Sequence, residues 1–474
     1  MKVLEIFVLA LAVSCVADAS CKDKIKKSKA TASATASAKE AINVEDPITF
    51  DAALRGAYKN NQEWLANNIE KNIADEKLNQ AKKSFLPDVS ANIRASRSKK
   101  KDKESYINSG EREEKPSQTS MGIRIHQNIF NGFSNINSMR SQEHESDAAF
   151  HRLKANEEKL ISDTIEKYAA VWVAQQKVLA TKKMEDNLHQ IVLSHKNSLD
   201  VGYGTSAEIS AAKASYQEAL FNRINAETEL YSAKSEFKKL TGLSASENMK
   251  LPEFNIQLPK TVDELVAKAK KSNHRILFQK EGMLAAEKAH KAAIGSLSPR
   301  CDLELSADRS LSKDVTTPVE PHRLSSTTCS AALTVTMPIF SNGSNGDSYS
   351  AIKIARQSEL KACLMYEESI QEVEKDCIIC WNNYNSANAL IAASRSAVQS
   401  AEHSSNDNME ETNMGMKSNV DVWDKENRLY KARENFAESQ QKKVVMAIKL
   451  KILTGELDVN TLLSLIKTGR GSAE

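Results

Sequence analysis

Few residues in this chain are spaced for catalysis. His144-Glu145 opens like a zinc-hydrolase helix motif, but no second histidine follows at the required spacing. Cys377-Ile378-Ile379-Cys380 has the C-x-x-C form. It sits inside a helix-forming run, with no βαβ pattern and no second pair to complete a metal site. The nine histidines are scattered. No P-loop, G-x-S-x-G elbow or dinucleotide-binding glycine fingerprint occurs. The expectation is a chain that is not an enzyme, with no catalytic residues, no cofactor and no metal. One pair of acids stands out. Asp421 and Asp424 are three residues apart, a spacing that puts both carboxylates on one face of a helix. Two such acids are ordinarily just a solvated surface, so the elements that carry them decide what they mean.

Those elements are long. Phe133 to Val201 contains neither Gly nor Pro, and neither does Asp347 to Met414. Runs of that length are long-helix sequence, and about 65 residues at 1.5 Å per residue extend roughly 100 Å. In the first run Tyr168, Val171, Trp172, Val178, Leu179, Leu188, Ile191, Val192, His195 and Leu199 step by threes and fours, as a packed seam does. Val201-Gly202-Tyr203-Gly204 turns the chain, and a helix from about Ala207 returns to Leu240-Thr241-Gly242. In the second half Met414-Gly415-Met416 makes the turn, and 420–453 returns to Leu453-Thr454-Gly455.

The chain is written twice. Pro47, Thr49, Asp51, Asn61, Ala74, Ala81 and Pro87 return 212 residues later as Pro259, Thr261, Asp263, Asn273, Ala286, Ala293 and Pro299. Each half has the same order: helix, alternating segment, very long helix, Gly-bearing turn, helix. A unit of this length is a duplicated half-domain rather than a solenoid repeat. The first repeat covers 47–258 and the second 259–456, with 457–474 as a tail. The first helix is expected from Thr49 or Asp51 to about Ser84, with Leu54, Tyr58, Leu65, Ile69, Ile73 and Leu78 at near-heptad spacing.

After Pro87 the period becomes two. Val89, Ala91, Ile93 and Ala95 alternate with polar residues, and so do Met121, Ile123 and Ile125 across a strongly charged loop from Lys99 to Pro116. The second half copies this with Leu303, Leu305 and Ala307 and with Leu333, Val335 and Met337, around a polar stretch from Arg309 to Ser325. The hairpins occupy 88–130 and 300–340. Bracketing by Pro299 and Pro338 puts Cys329 opposite a residue near 308, so no Cys301–Cys329 disulfide is expected.

Strands of about ten residues with one apolar face suit an outer-membrane barrel, but four cannot close alone in lipid. Three copies would supply twelve, enough for a water-filled barrel. The polar helical hairpins would project from the membrane. The same elements also fit an exported helical scaffold or adhesin of the cell envelope with ordinary β-hairpins.

Export is written at the N-terminus: Lys2, an apolar stretch from Ile6 to Val16, and Ala17-Asp18-Ala19 give a signal peptide over 1–19. Residues 20–46 are low-complexity Ala/Ser/Thr/Lys and read as a disordered leader. Net charge is only +3, with 65 basic and 62 acidic residues intermixed, which argues against nucleic-acid binding.

At the two turns the chain resembles the TolC family of outer-membrane channel proteins, over roughly residues 47–456. Gly202, the acid Glu208 six residues on, and Ala212-Lys213-Ala214 resemble that family's first helical tip. Gly415 to Asp424, followed by Leu429-Tyr430, resembles the second tip more closely. Leu-Thr-Gly at each return-helix end also matches. The resemblance implies a mainly α fold in which duplicated helical hairpins form a periplasmic α-barrel. It adds four strands per chain to a trimeric twelve-stranded outer-membrane β-barrel. It implies a homotrimeric exit duct of a tripartite efflux or type I secretion system, partnered by a periplasmic adaptor and an inner-membrane transporter. Asp421 and Asp424 fall where the family rings its tunnel entrance with aspartates, and Lys417 where a basic residue helps hold the tips shut. Trp423 departs from the family's usual aliphatic residue.

Overall fold

Thr49 accepts a hydrogen bond from Ala52 N and starts helix α1, Phe50–Asn60. The structure, a computed structural model, describes residues 48–98, 100–102, 112–114, 117–202, 204–254, 259, 261–314, 322–339, 348–413, 419–455 and 457. The expected signal peptide, the leader, Gly415 and Lys417 lie outside those residues. So does the expected tail, except Leu457, which is buried in the core and belongs with the folded part.

The single helix expected up to Ser84 is two. α1 ends at Asn61, whose extended backbone breaks the helix and whose side chain accepts from Trp64 N to start α2, Gln62–Lys83. The second half repeats the device. α5, Val262–Ser272, and α6, His274–Gly295, meet at Asn273, which caps through Arg275 N. Between these pairs run α3, Ser134–Asp200, and α4, Ser206–Thr241. After α6 and its hairpin come α7, Ser348–Asn413, and α8, Asn419–Leu453.

The break at each asparagine explains the Leu-Thr-Gly motif. Asn60, just before the first break, donates from Nδ2 to Thr241 O at 2.9 Å; its counterpart Ser272 donates from Oγ to Thr454 O at 2.6 Å, and the break residue Asn273 donates from Nδ2 to Leu453 O at 3.2 Å, so each return helix ends on a helix break. Gly242 and Gly455 follow in the left-handed region, at φ +73° and +64°. A Cβ on Gly242 would meet the Asn60 side chain, whereas one on Gly455 would lie 2.2 Å from the backbone oxygen of Ser272. A side chain can swing away and a backbone carbonyl cannot. Both alanine variants carry the left-handed cost of about 1–2 kcal/mol, and thermal unfolding should show Gly455→Ala as clearly the worse of the two. Equal losses would mean that the close approach at Ser272 does not constrain the fold.

Among the described residues, three apolar clusters hold the helices together. The first joins α1, α3, α4 and α8 through Phe50, Leu54, Ile161, Ile165, Phe237 and Ile448, around Tyr168. The Tyr168 hydroxyl donates to Ile48 O or Lys250 O, at 3.1 and 3.0 Å, and burial pushes its pKa up to about 12. The second cluster places α5 against α7 and α8, with Cys377 fully buried and its thiol pushed up to about 11 by that burial. Cys377 therefore packs as a small apolar residue. On α4, Ala212, Ala219 and Ala226 recur every seven residues and are all buried, which is the heptad of a close helix–helix seam. Leu179 and Leu199, expected in the seam of α3, are exposed in the single chain.

The strands are β1, Asp88–Arg97; β2, Lys100–Asp102; β3, Arg112–Glu114; β4, Ser117–Asn131; β5, Arg300–Asp314; and β6, His322–Thr336. The charged stretch expected as a loop instead extends the first hairpin, with Lys100 opposite Glu114, Lys101 opposite Glu113 and Asp102 opposite Arg112. Opposite charges across an antiparallel pair favour that register. Within the second hairpin the pairing also runs into the polar stretch expected between its strands, as far as Asp314 opposite His322. The two hairpins then join: β4 pairs with β5, giving one antiparallel sheet in the order β1-β4-β5-β6. Cys329 faces Ala307 and Cys301 faces Val335, so the cysteines are not partners.

Candidate functional site

The register sorts the sheet into two faces. Ile93 stands opposite Met121, Ile123 opposite Ala307, and Leu303 opposite Leu333, so one face is apolar across all four strands. Val89, Ile93, Ile123, Leu333 and Val335 on that face are exposed in the single chain. The other face carries Arg124 paired with Glu304 at 2.8 Å, and Asp302 between Arg300 at 2.7 Å and Asn128 at 2.7 Å. Both outer edges, β1 and β6, run antiparallel to each other, so a second copy can add its β1 to this β6 and continue the alternation. A sheet that is greasy on one side and charged on the other, with matched free edges, is a segment of a barrel in lipid. No helix among the described residues is long and apolar enough to cross a membrane.

The family model for outer membrane efflux proteins matches residues 53–243 and 265–456. The chain belongs to the outer membrane efflux protein family. It is 23% identical over 414 residues to the outer membrane efflux protein BepC of Brucella suis biovar 1, covering 87% of both chains. It is 25% identical over 415 residues to the outer membrane protein TolC of Escherichia coli K12, covering 85% of this chain and 82% of that one. The fold matches the Campylobacter jejuni CmeC outer membrane channel with a TM-score of 0.72 at 16% identity, covering 88% of each. The protein is therefore an outer-membrane channel-family protein with a periplasmic helical extension, as the resemblance implied. Its fold class is mainly α with one four-stranded antiparallel sheet, the fold of the outer-membrane channels it resembles.

At the two helical turns the described residues include Gly202, Glu208, Asp421 and Asp424, whereas Gly415 and Lys417 lie outside them. At the first, Gly202 takes φ +88° with open space around its Cα, and Val201 beside it is exposed. Glu208 has a structural task there. Its carboxylate accepts from Thr205 N at 2.9 Å, while its own N–H donates to Thr205 Oγ at 3.2 Å, a reciprocal capping box that starts α4. The bond from the Thr205 backbone holds its pKa below the usual glutamate value. The acid six residues after the turn glycine is thus a helix start.

At the second tip, Asp421 and Asp424 lie in the first turns of α8. At 100° per residue, positions 421, 424 and 428 fall on the side of α8 opposite the buried Val422, Glu426 and Leu429. Asp424 Oδ2 accepts from Arg428 Nε at 2.9 Å. Arg428 was not singled out in the sequence, although its i, i+4 spacing from Asp424 is the signal that could have found it. Trp423, the family departure, points the other way and packs with Val422, Tyr216 and Tyr430 against Met184, Leu188 and Ile191. Its indole N–H is buried without a hydrogen-bond partner. The bulk that departs from the family pattern therefore fills the seam between the two hairpins of one chain, away from the acidic face.

Higher up, Lys177 of α3 ties the hairpins together. Its ammonium lies 3.6 Å from Glu229 of α4 and 2.7 and 3.4 Å from Glu434 and Glu438 of α8. Burial works against this charge, but the hydrogen bond to Glu434 and the three carboxylates outweigh it, raising the pKa well above the usual lysine range.

Proposed function

We propose that three copies of this chain form an exit duct across the outer membrane. The duct would pass cargo received from an inner-membrane transporter through a periplasmic adaptor, in efflux or in type I secretion. The observation that carries this reading is the sheet: apolar on one face, charged on the other, and open at two complementary edges. The long hairpins then form the tunnel wall, and their tips its entrance.

Asp421 and Asp424 face the threefold axis in this reading, giving six carboxylates at the entrance. Such a ring attracts cations and repels anions. Arg428 places three guanidiniums in the same ring, so its net charge is smaller than the aspartates alone would give. Lys417 helps hold the tips shut, and opening is an untwisting of the helical hairpins biased by the adaptor, which needs no energy source in this chain.

Single-channel recording in planar bilayers tests both parts. Discrete cation-selective steps are expected from the wild type, with selectivity reduced in Asp421→Asn/Asp424→Asn and raised in Arg428→Gln. Steps indifferent to all three changes would keep the duct and remove the ring. A protein that neither inserts nor conducts would remove the duct.

A further inference from the structure

His144, Asp147 and His151 lie at i, i+3 and i+7 on α3, along one face. Facing them on α6 are Glu281 and His274, seven residues apart. His144 Nδ1 is 2.7 Å from Glu281 Oε2, and a ligand atom of Asp147 joins them, all three lying within 4.8 Å of one another. Two helical turns away, His151 Nδ1 meets His274 Nδ1 at 3.1 Å with their rings stacked. Ser141 Oγ donates to Ala285 O at 2.9 Å, a buried stitch that fixes α3 against α6 beside the group. Among the described residues no other set of three histidine, cysteine or acidic side chains converges in this way.

We propose that His144, Asp147 and Glu281 bind one divalent transition-metal ion of the zinc class, clamping the first repeat's long helix to the second repeat's short helix. The donor set is one imidazole and two carboxylates, borderline in softness, and two negative charges match the ion's two positive ones. Donors bound to such an ion at about 2.1 Å stand roughly 3.0–3.5 Å apart, which small side-chain rotations reach from the observed spacing. Asp147 is exposed, so one side of the ion stays open to water and the site exchanges its metal. Three ligands plus an open position give a labile clamp rather than a permanent structural centre.

The ligands sit on rigid, stitched helices, and helices α3 and α6 belong to different repeats. Occupancy therefore adds a cross-link between the two halves of the chain, and any ion that binds only the folded form raises its stability. Two other histidine–carboxylate pairs serve as internal controls. His290 Nδ1 lies 2.6 Å from Glu359 Oε2, and His126 Nε2 lies 3.6 Å from Asp302 Oδ1; neither has a converging third ligand.

The experiment is Zn2+ titration by calorimetry on the untagged, chelator-washed protein in detergent, with thermal unfolding as a second readout. Expected are one ion per chain and a melting temperature that rises with Zn2+. Glu281→Gln, which keeps the shape and the hydrogen bond to His144, should weaken binding tenfold or more, and His144→Gln likewise. Loss of a ligand normally costs at least as much as loss of an outer partner, about 10–100-fold. His290→Gln should bind as the wild type does. Wild-type affinity in both Glu281→Gln and His144→Gln would overturn the proposal. So would binding lost instead in Asp421→Asn/Asp424→Asn, or no saturable binding by the wild type.

Discussion

Glu158→Gln is expected to leave stability unchanged in acid and to raise it by about 4–5 kcal/mol above pH 8. Glu158 lies on α3, is 5% exposed, and has its pKa pushed up to about 8. Burial is the main cause, with the charge of neighbouring Glu157 adding to it and Lys154 opposing. Glu157 takes the available partners, accepting from Tyr58 Oη at 3.1 Å and from Lys154 Nζ at 2.9 Å. An acid whose folded pKa is raised binds its proton more tightly when folded than when unfolded. The wild type therefore has its full stability below about pH 4.5, loses it progressively as pH rises toward 8, and levels off beyond. A shift from 4.5 to about 8 is worth about 5 kcal/mol at 1.36 kcal/mol per unit. Glutamine carries no proton to lose, so the gap between variant and wild type should open across that same window. Denaturation of the helical part, followed by circular dichroism from pH 4 to 9, reads it directly. A gap that is constant with pH would mean that folding leaves the Glu158 pKa unshifted, a partner having offset its burial.

Lys177→Met should loosen the two hairpins of one chain from each other. The substitution keeps the length of the stem and removes the charge that pairs with Glu229, Glu434 and Glu438 at that junction. Breaking a fully buried pair costs about 3–5 kcal/mol. Glu229 and Glu438 are half-exposed and recover hydration, so about 2–3 kcal/mol is expected here. Adding Glu434→Leu should restore part of the loss, because it removes the carboxylate left closest to the methionine. A double-mutant cycle in urea measures that coupling. If α8 carries the tunnel entrance as proposed, the single variant should also open more often in bilayers, since Lys177 adds an ionic tie to the apolar seam that holds α8 on α3 and α4. A closed-state lifetime equal to the wild type's would confine Lys177 to stability.

Much of this protein was legible as sequence. Gly- and Pro-free runs gave α3 and α7, because nothing in them stops a helix. Period-two segments bounded by prolines gave the two hairpins, and the recurrence of Asn61 as Asn273 and of Leu-Thr-Gly gave the duplication. Those signals are local: each depends on residues within a few turns or a few strand positions of one another. Even the missed helix breaks were written there, since an asparagine that returns at the same place in both halves was already visible. Arg428 was legible too, one helical turn from Asp424.

What the sequence left open depends on contacts between residues far apart in the chain. Pairing of β4 with β5 joins residues near 120 to residues near 309, and no local pattern selects that partner over a separate hairpin. The same holds for Lys177 with Glu434 and for His144 with Glu281, where each residue reads alone as a solvated surface charge or a stray histidine. Glu158 is another such case: nothing in its neighbours marks it as buried, because burial comes from the helices packed over it. Period and caps fixed the elements; which side chains lost their water was decided only when those elements packed.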